Sequence, residues 1–131
     1  MLNLPLGKKF NVTIPNLFLQ DDEIKKAIIR GIFDTEGGIY LERKNRKLYP
    51  RIYITTISFK LSEQLLESFK QFGLRATRHS QLYNEHFNRQ RCYKVEIRGV
   101  EMFHKFIHLI NPGNPKHFLK YKQFLEQAKS L

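Results

Sequence analysis

Two carboxylates and a glycine pair close an apolar, helix-patterned run at 27–38: Ala27-Ile28-Ile29-Arg30-Gly31-Ile32-Phe33-Asp34-Thr35-Glu36-Gly37-Gly38. Oxygen donors suit a hard divalent cation, so the run reads as a helix whose last turn delivers a carboxylate to a metal. Gly37-Gly38 can leave the helical region at no steric cost, which predicts a helix end at Glu36 with that side chain projecting past it. Acids at a helix C-terminus oppose the dipole, so Asp34 and Glu36 gain nothing locally and need another reason to stand there. The histidines are less informative. His104 and His108 have i, i+4 spacing but lack the intervening Glu of a zincin motif, and read as surface helix residues. His79 is a candidate base or phosphate contact.

The elements that must hold these residues are readable. Asp21 and Asp22 supply N-cap oxygens, and Glu23 adds negative charge at the positive end of the dipole. Within the helix Ala27 and Gly31 lie four apart and share a face with Ile24, Ile28 and the side of Asp34. A stripe of residues this small lets a second backbone approach closely.

Ile29 to Gly37 resembles the LAGLIDADG motif of homing endonucleases, in a form that begins with a branched apolar residue and carries Glu at the second acid. The resemblance implies two motif helices packed together at the centre of the molecule, the last acid of each binding a divalent metal at the scissile phosphates. It implies Ala27, Ile28 and Gly31 as the dimer interface, Asp34 as the first acid, Glu36 as metal ligand and the Thr35 carbonyl beside it. Arg30 replaces a small residue of the motif and must point away from the tight contact, while Glu for Asp lengthens the ligand by a methylene. Phe118-Leu119-Lys120-Tyr121-Lys122-Gln123 is similar to the segment that carries a lysine into the water pocket beside the metal, which implies Lys122 in that role and Lys120 after it. The family's polar, often amide, side chain near the end of the second strand has no match in Ile57-Ser58-Phe59-Lys60, which leaves Ser58 or Lys60 as its substitute.

With 131 residues, 41% of them hydrophobic and 13% aromatic, the chain can bury one sizeable core and reads as an arm, residues 1–20, followed by a single domain, 21–131. The 23 Lys and Arg against 12 Asp and Glu leave a net charge of +11, which favours a polyanion, because each neutralised phosphate releases condensed counterions. No long apolar segment or Lys-rich amphipathic helix supports a membrane instead. Met1 to Phe10 lacks the apolar run of a secretory signal, and the lone Cys92 has neither a disulfide nor a zinc-finger partner, so a reducing, intracellular compartment is expected, with Cys92 buried in a strand.

After the motif helix, Ile39 and Leu41 alternate with Tyr40 and Glu42 as a strand that enters the basic turn Arg43–Lys47. Beyond Pro50 a second strand runs to Phe59, and the parity change between Ile54 and Ile57 predicts a bulge at Thr55-Thr56. Ser62 fits an N-cap for a helix that Gly73 ends. Strands follow at about 74–82 and 90–98, then helices at 100–110 and about 116–130, separated by the Asn111-Pro112-Gly113-Asn114-Pro115 breaker. This order predicts an α+β fold with four antiparallel strands in one sheet, helices on one face and the other face open. It matches the αββαββα core of the LAGLIDADG family.

Residues 38–60 carry six cations against Glu42, a net of +5, and residues 73–98 six against Glu85 and Glu96, a net of +4; together +9 of the +11 lies on the strands and their turns. Alternation groups Tyr40, Glu42, Lys44 and Arg46, then Arg51, Tyr53 and Thr55, then Arg75, Thr77, His79 and Gln81 on open faces, with Arg89, Arg91 and Lys94 on the last strand. Such side chains read base edges, and a β-ribbon fits the major groove. The resulting expectation is a homodimeric, site-specific endonuclease on a long pseudo-palindromic double-stranded DNA site. Mg²⁺, or Mn²⁺ or Ca²⁺ in its place, would assist hydrolysis of one phosphodiester per strand, and by family analogy the cut leaves 3′ overhangs. An RNA maturase and a catalytically silent DNA-binding protein are the alternatives on the same fold.

Overall fold

Asp21 opens the first helix, α1 (Asp22–Glu36), its side chain accepting from the Ile24 amide at 3.0 Å. The computed structural model describes residues 13–85 and 88–129, without the side chains of 81–85, 88–90, 128 and 129. Strand β1 (Gly37–Lys44) follows α1 without a loop and turns through Asn45-Arg46 into β2 (Lys47–Thr56). Both turn residues have positive φ, 53° and 65°, the twist that a two-residue hairpin requires. Helix α2 (Phe59–Gln71), strands β3 (Ala76–Glu85) and β4 (Asn88–Arg98), and helices α3 (Val100–Ile110) and α4 (Pro115–Lys129) complete the chain.

All neighbouring strands are antiparallel, in the order β1-β2-β4-β3, so the two hairpins meet through their second strands. The α+β architecture, with a four-stranded sheet open on one side, is therefore as expected. The core lies between sheet and helices: Ile52, Ile54 and Ile97 from the strands meet Ile29, Phe33, Leu65, Phe69, Phe103 and Phe106 from the helices. Phe106 stands edge-on to Phe33 at 4.9 Å and to Phe69 at 6.0 Å. Burying side chains of this size contributes about 1.5 to 3 kcal/mol each. Cys92 is buried in β4 with a free thiol.

Several local expectations give way. Residue 50 is no boundary: Pro50 lies inside β2 opposite Leu41, one residue before β4 pairing begins at Arg51, so its missing N–H costs no bond on that side. The bulge at Thr55-Thr56 is absent, because β2 ends there in regular register and Ile57 already belongs to the turn into α2. Ser58, not Ser62, caps α2; it accepts from the Leu61 amide at 3.1 Å, while the Ser62 hydroxyl donates to the Phe59 carbonyl at 2.6 Å. At the other end Gly73 takes φ 77°, and the Leu74 amide reaches back to the Phe69 carbonyl at 2.8 Å. Ahead of α1, a short 3-10 helix (Asn16–Leu19) packs Phe18 and Leu19 on the body but leaves Leu17 exposed, and buried Ile14 exchanges two backbone bonds with the Gln64 amide group. Residues 1–12 of the expected arm lie outside the described residues.

Candidate functional site

Glu36 is the last residue of α1 and is exposed. Gly37 follows in an extended conformation, φ −114° and ψ 177°, with its amide donating to the Phe33 carbonyl. A Cβ there would lie 2.4 Å from the Phe33 ring and 2.8 Å from the Tyr53 carbonyl oxygen, and one on Gly38 would lie 2.4 Å from the Tyr53 hydroxyl. Conformational freedom is thus not what this pair supplies; the absence of side chains is. The chain passes straight from helix to sheet, and Glu36 is held at the rim.

Asp34 is engaged elsewhere. Its carboxylate accepts from the amides of Gly113 (3.0 Å) and Asn114 (3.1 Å), and the Asn114 side-chain amide donates to the Asp34 carbonyl at 3.1 Å. Asn114 in turn accepts from the Lys116 amide at 3.1 Å, so the first turn of α4 is fixed to the last turn of α1. Those donors answer the question of what offsets an acid at a helix C-terminus. Together these bonds tie the end of α1 to the segment that leads into α4. His117, buried against Phe33 with ring centroids 4.2 Å apart, points Nε2 towards Asp34 at 3.7 Å, beyond a hydrogen bond. Burial, with Lys116 beside it, pushes the His117 imidazole below its usual range, against the pull of Asp34 and of a hydrogen bond to the Phe33 backbone.

The outer face of α1 presents Ile24, Ala27 and Gly31, all exposed, and a Cβ on Gly31 would meet nothing within 4 Å. Ile28 does not belong with them: only 4% exposed, it is part of the chain's own core, since 40° of helix rotation away from Ile24 already turns a side chain inward. Arg30 points away from the stripe as its size demands, donating from Nε to the Ile110 carbonyl at 2.6 Å and closing the end of α3. The Thr35 hydroxyl turns back to the Gly31 carbonyl at 3.0 Å. Lys122 and Lys120 are exposed on α4. Ser58 is fully buried on cap duty and Lys60 lies in α2.

On the open face, Tyr40, Glu42 and Lys44 of β1 stand beside Arg51, Tyr53 and Thr55 of β2, and Thr77 and His79 of β3 share that side through β4. Arg46 is in the hairpin turn instead, and Arg75 precedes β3 and lines a groove of about 610 Å³ beside α2 with Glu63, Glu67, Lys70 and Arg78. Arg91 lies on the opposite parity from Lys94 and donates to Ser80 at 3.1 Å, so it is not part of the central open face. The side chains of Gln81 and Arg89 lie outside the described residues. Tyr49 of β2, opposite Glu42, also shares this face and was not singled out above, and neither were Glu96 and Arg98 of β4. Strict alternation with buried Val95 and Ile97 is the signal that finds them. Glu96 forms an ion pair with Arg98 and lies 4.0 Å from both Arg51 and Lys94, while Arg51 also pairs with Glu42.

Among the described residues no three His, Cys, Asp or Glu side chains gather as a metal site, and no helix is long and apolar enough to cross a membrane. One chain thus offers a carboxylate and backbone oxygens at the α1 end. That donor set fits a hard cation whose remaining ligands come from water, phosphate or a second chain.

Residues 23–111 match the LAGLIDADG-like domain family. The chain is also 29% identical over 115 residues, 88% of its own length, to an uncharacterized protein of Methanocaldococcus jannaschii, of which it spans 12%. The match begins in the first turn of α1 and ends just past α3, so it takes in the motif helix, the whole sheet, α2 and α3, and leaves out α4. The match covers more than half of the chain, including the helix that ends in an exposed acid and runs directly into the open antiparallel sheet, and the chain belongs to the LAGLIDADG-like domain family.

Proposed function

We propose that the chain is a site-specific endonuclease for double-stranded DNA, acting as a homodimer that hydrolyses one phosphodiester in each strand. The observation that carries this reading is the position of Glu36, exposed where α1 runs into a basic sheet, so that an oxygen ligand borders a polyanion-binding surface. Glu36 and the Thr35 carbonyl are the residues that would hold Mg²⁺, or Mn²⁺ or Ca²⁺ in its place. When bound, such a cation supplies an activated water and stabilises the attacked and leaving oxygens. One carboxylate per chain makes pairing through Ala27 and Gly31 the natural completion, with one Glu36 for each DNA strand and related half-sites read by two-fold related sheets. Asp34 orients the end of α1 through Gly113 and Asn114, and Lys122 is assigned to solvent beside the phosphate. Tyr40, Glu42, Lys44, Arg51, Tyr53, Thr55, Thr77, His79 and Lys94 face the bases, and Arg46, Arg75, Gln81, Arg89 and Arg91 extend the contact at the turns and hairpin arms. Residues 21–131 form the functional domain, with 1–20 an arm to it, and 3′ overhangs across the minor groove belong to the same reading.

A second reading, a silent DNA-binding protein or an RNA maturase, draws support from Ser58, whose hydroxyl is buried in a helix cap where the family keeps a polar active-site side chain. Incubating the purified protein with a randomised duplex library and Mg²⁺, beside a Glu36→Gln variant, separates the two. The nuclease reading predicts one long site cut by wild type only, with binding kept by the variant. Tight, salt-sensitive binding by both proteins without cleavage would overturn it in favour of the second reading.

A further inference from the structure

A carboxylate at the centre of a DNA-binding face repels phosphate, and burying it adds a desolvation cost. Glu96 is such a group: it sits two residues before the end of β4, an inner strand, and is only 4% exposed although its parity is that of the open face. Arg51 and Arg98 are directly opposite each other across β2 and β4, an arrangement of like charges that is unfavourable unless compensated. Glu96 compensates it. Its Oε1 takes Arg98 and lies 4.0 Å from Arg51 Nε, and its Oε2 lies 4.0 Å from Lys94 Nζ. Lys94 is also fixed over the Tyr53 ring, 5.0 Å from its centroid, and Arg51 is held at its outer end by Glu42. The acids therefore alternate with the cations across three strands as Glu42, Arg51, Glu96, Arg98, with Lys94 on a branch.

We propose that Glu96 is a positioning residue for DNA recognition, holding Arg51, Lys94 and Arg98 in fixed orientations so that it raises sequence discrimination at the expense of non-specific affinity. The inference rests on the DNA-binding reading above. A guanidinium has five donors in a rigid fork, so one edge occupied by a carboxylate still leaves donors for a base. A fork fixed in the free protein reads guanine at lower entropic cost than a mobile one and leaves fewer ways to bind the wrong base.

The test is selection from a randomised duplex library in Ca²⁺, followed by binding titrations of the selected and an unrelated duplex, for wild type and Glu96→Gln. The amide keeps the size of the side chain and removes its charge. The proposal predicts a discrimination ratio about tenfold smaller for the variant, the order of one lost base contact. It also predicts severalfold tighter binding to the unrelated duplex and a log–log salt slope steeper by about one, from a released cation. A lower melting temperature with an unchanged ratio would reduce Glu96 to a structural role and overturn the proposal. Glu42→Gln, at the exposed end of the same chain of charges, releases Arg51 but also removes the contact of Glu42 itself, so it is read with duplexes changed one base pair at a time. The proposal requires discrimination to fall at the base pair that Arg51 contacts as well as at that of Glu42, and a loss confined to the position of Glu42 overturns it where the buried position does not tolerate replacement. A wild type that enriches no duplex overturns the DNA reading and this role together, whereas a selected site held equally well by E96Q overturns only the role.

Discussion

Gly31 and Gly37 stand six residues apart in one motif and do opposite things. A Cβ at 37 collides with the Phe33 ring and the Tyr53 carbonyl, so Gly37→Ala is expected to lower stability by about 1 to 3 kcal/mol, read from urea unfolding midpoints. A Cβ at 31 meets nothing in this chain, and Ala is the better helix former by about 1 kcal/mol, so Gly31→Ala should stabilise the isolated chain. If Gly31 faces a second copy, the same substitution must weaken association in sedimentation equilibrium while raising the monomer's unfolding midpoint; unchanged association would remove Gly31 from the interface. His117 supplies a pH dependence. Its folded-state affinity for a proton is held below that of the unfolded chain, near 6.5, so between the two the unfolded chain binds a proton that the folded one does not. Stability from this source is complete above about 6.5 and is lost as pH falls from there to the depressed native value. His117→Phe keeps a ring against Phe33 but cannot titrate. The difference in urea midpoint between pH 7.5 and 5.5 should therefore shrink in the variant, though its stability at pH 7.5 is lower for want of the bond to the Phe33 backbone.

Among the elements, the junction of α1 with α4 is the joint on which the site depends. Asp34→Ala removes the acceptor for two backbone amides at the start of α4 and should cost about 1 to 2 kcal/mol by thermal unfolding, the usual range for a lost cap. Glu36 shifts with the end of α1, so the nuclease reading also expects slower cleavage by this variant than its stability loss accounts for. Helix α1 was legible in the sequence because Asp21 and the period of its isoleucines act within a few residues of one another. The same holds for α3 and for the breaker before α4. The bulge and the Ser62 cap misled for one reason: Ile57 breaks the strand period whether a strand is distorted or simply over, and only the β4 register, ending at Thr56 and Tyr93, decides which. The bonds from Asp34 to Gly113 and Asn114 span about eighty positions, and no local pattern announces them. Ile28 shows a related limit, since the spacing that groups it with Gly31 says nothing of where the neighbouring sheet lies.

For the whole molecule, charge and topology act together. Most of the net +11 is carried by the two hairpins, so duplex binding should weaken steeply with salt, a protein with six to ten phosphate contacts losing about 10³ to 10⁵ in affinity between 50 and 200 mM. A titration over that range that finds affinity flat would argue against the sheet as the DNA platform. The strand order has a different consequence, in time rather than in binding. Each hairpin closes locally, but the sheet becomes one only when β2 meets β4, which brings Arg51 to Arg98 across forty-seven positions of chain and the whole of α2. Closing that loop spends entropy before any core contact returns it. The hairpins should therefore form early and the central seam late, and refolding of this chain should be limited by the joining of two halves already shaped.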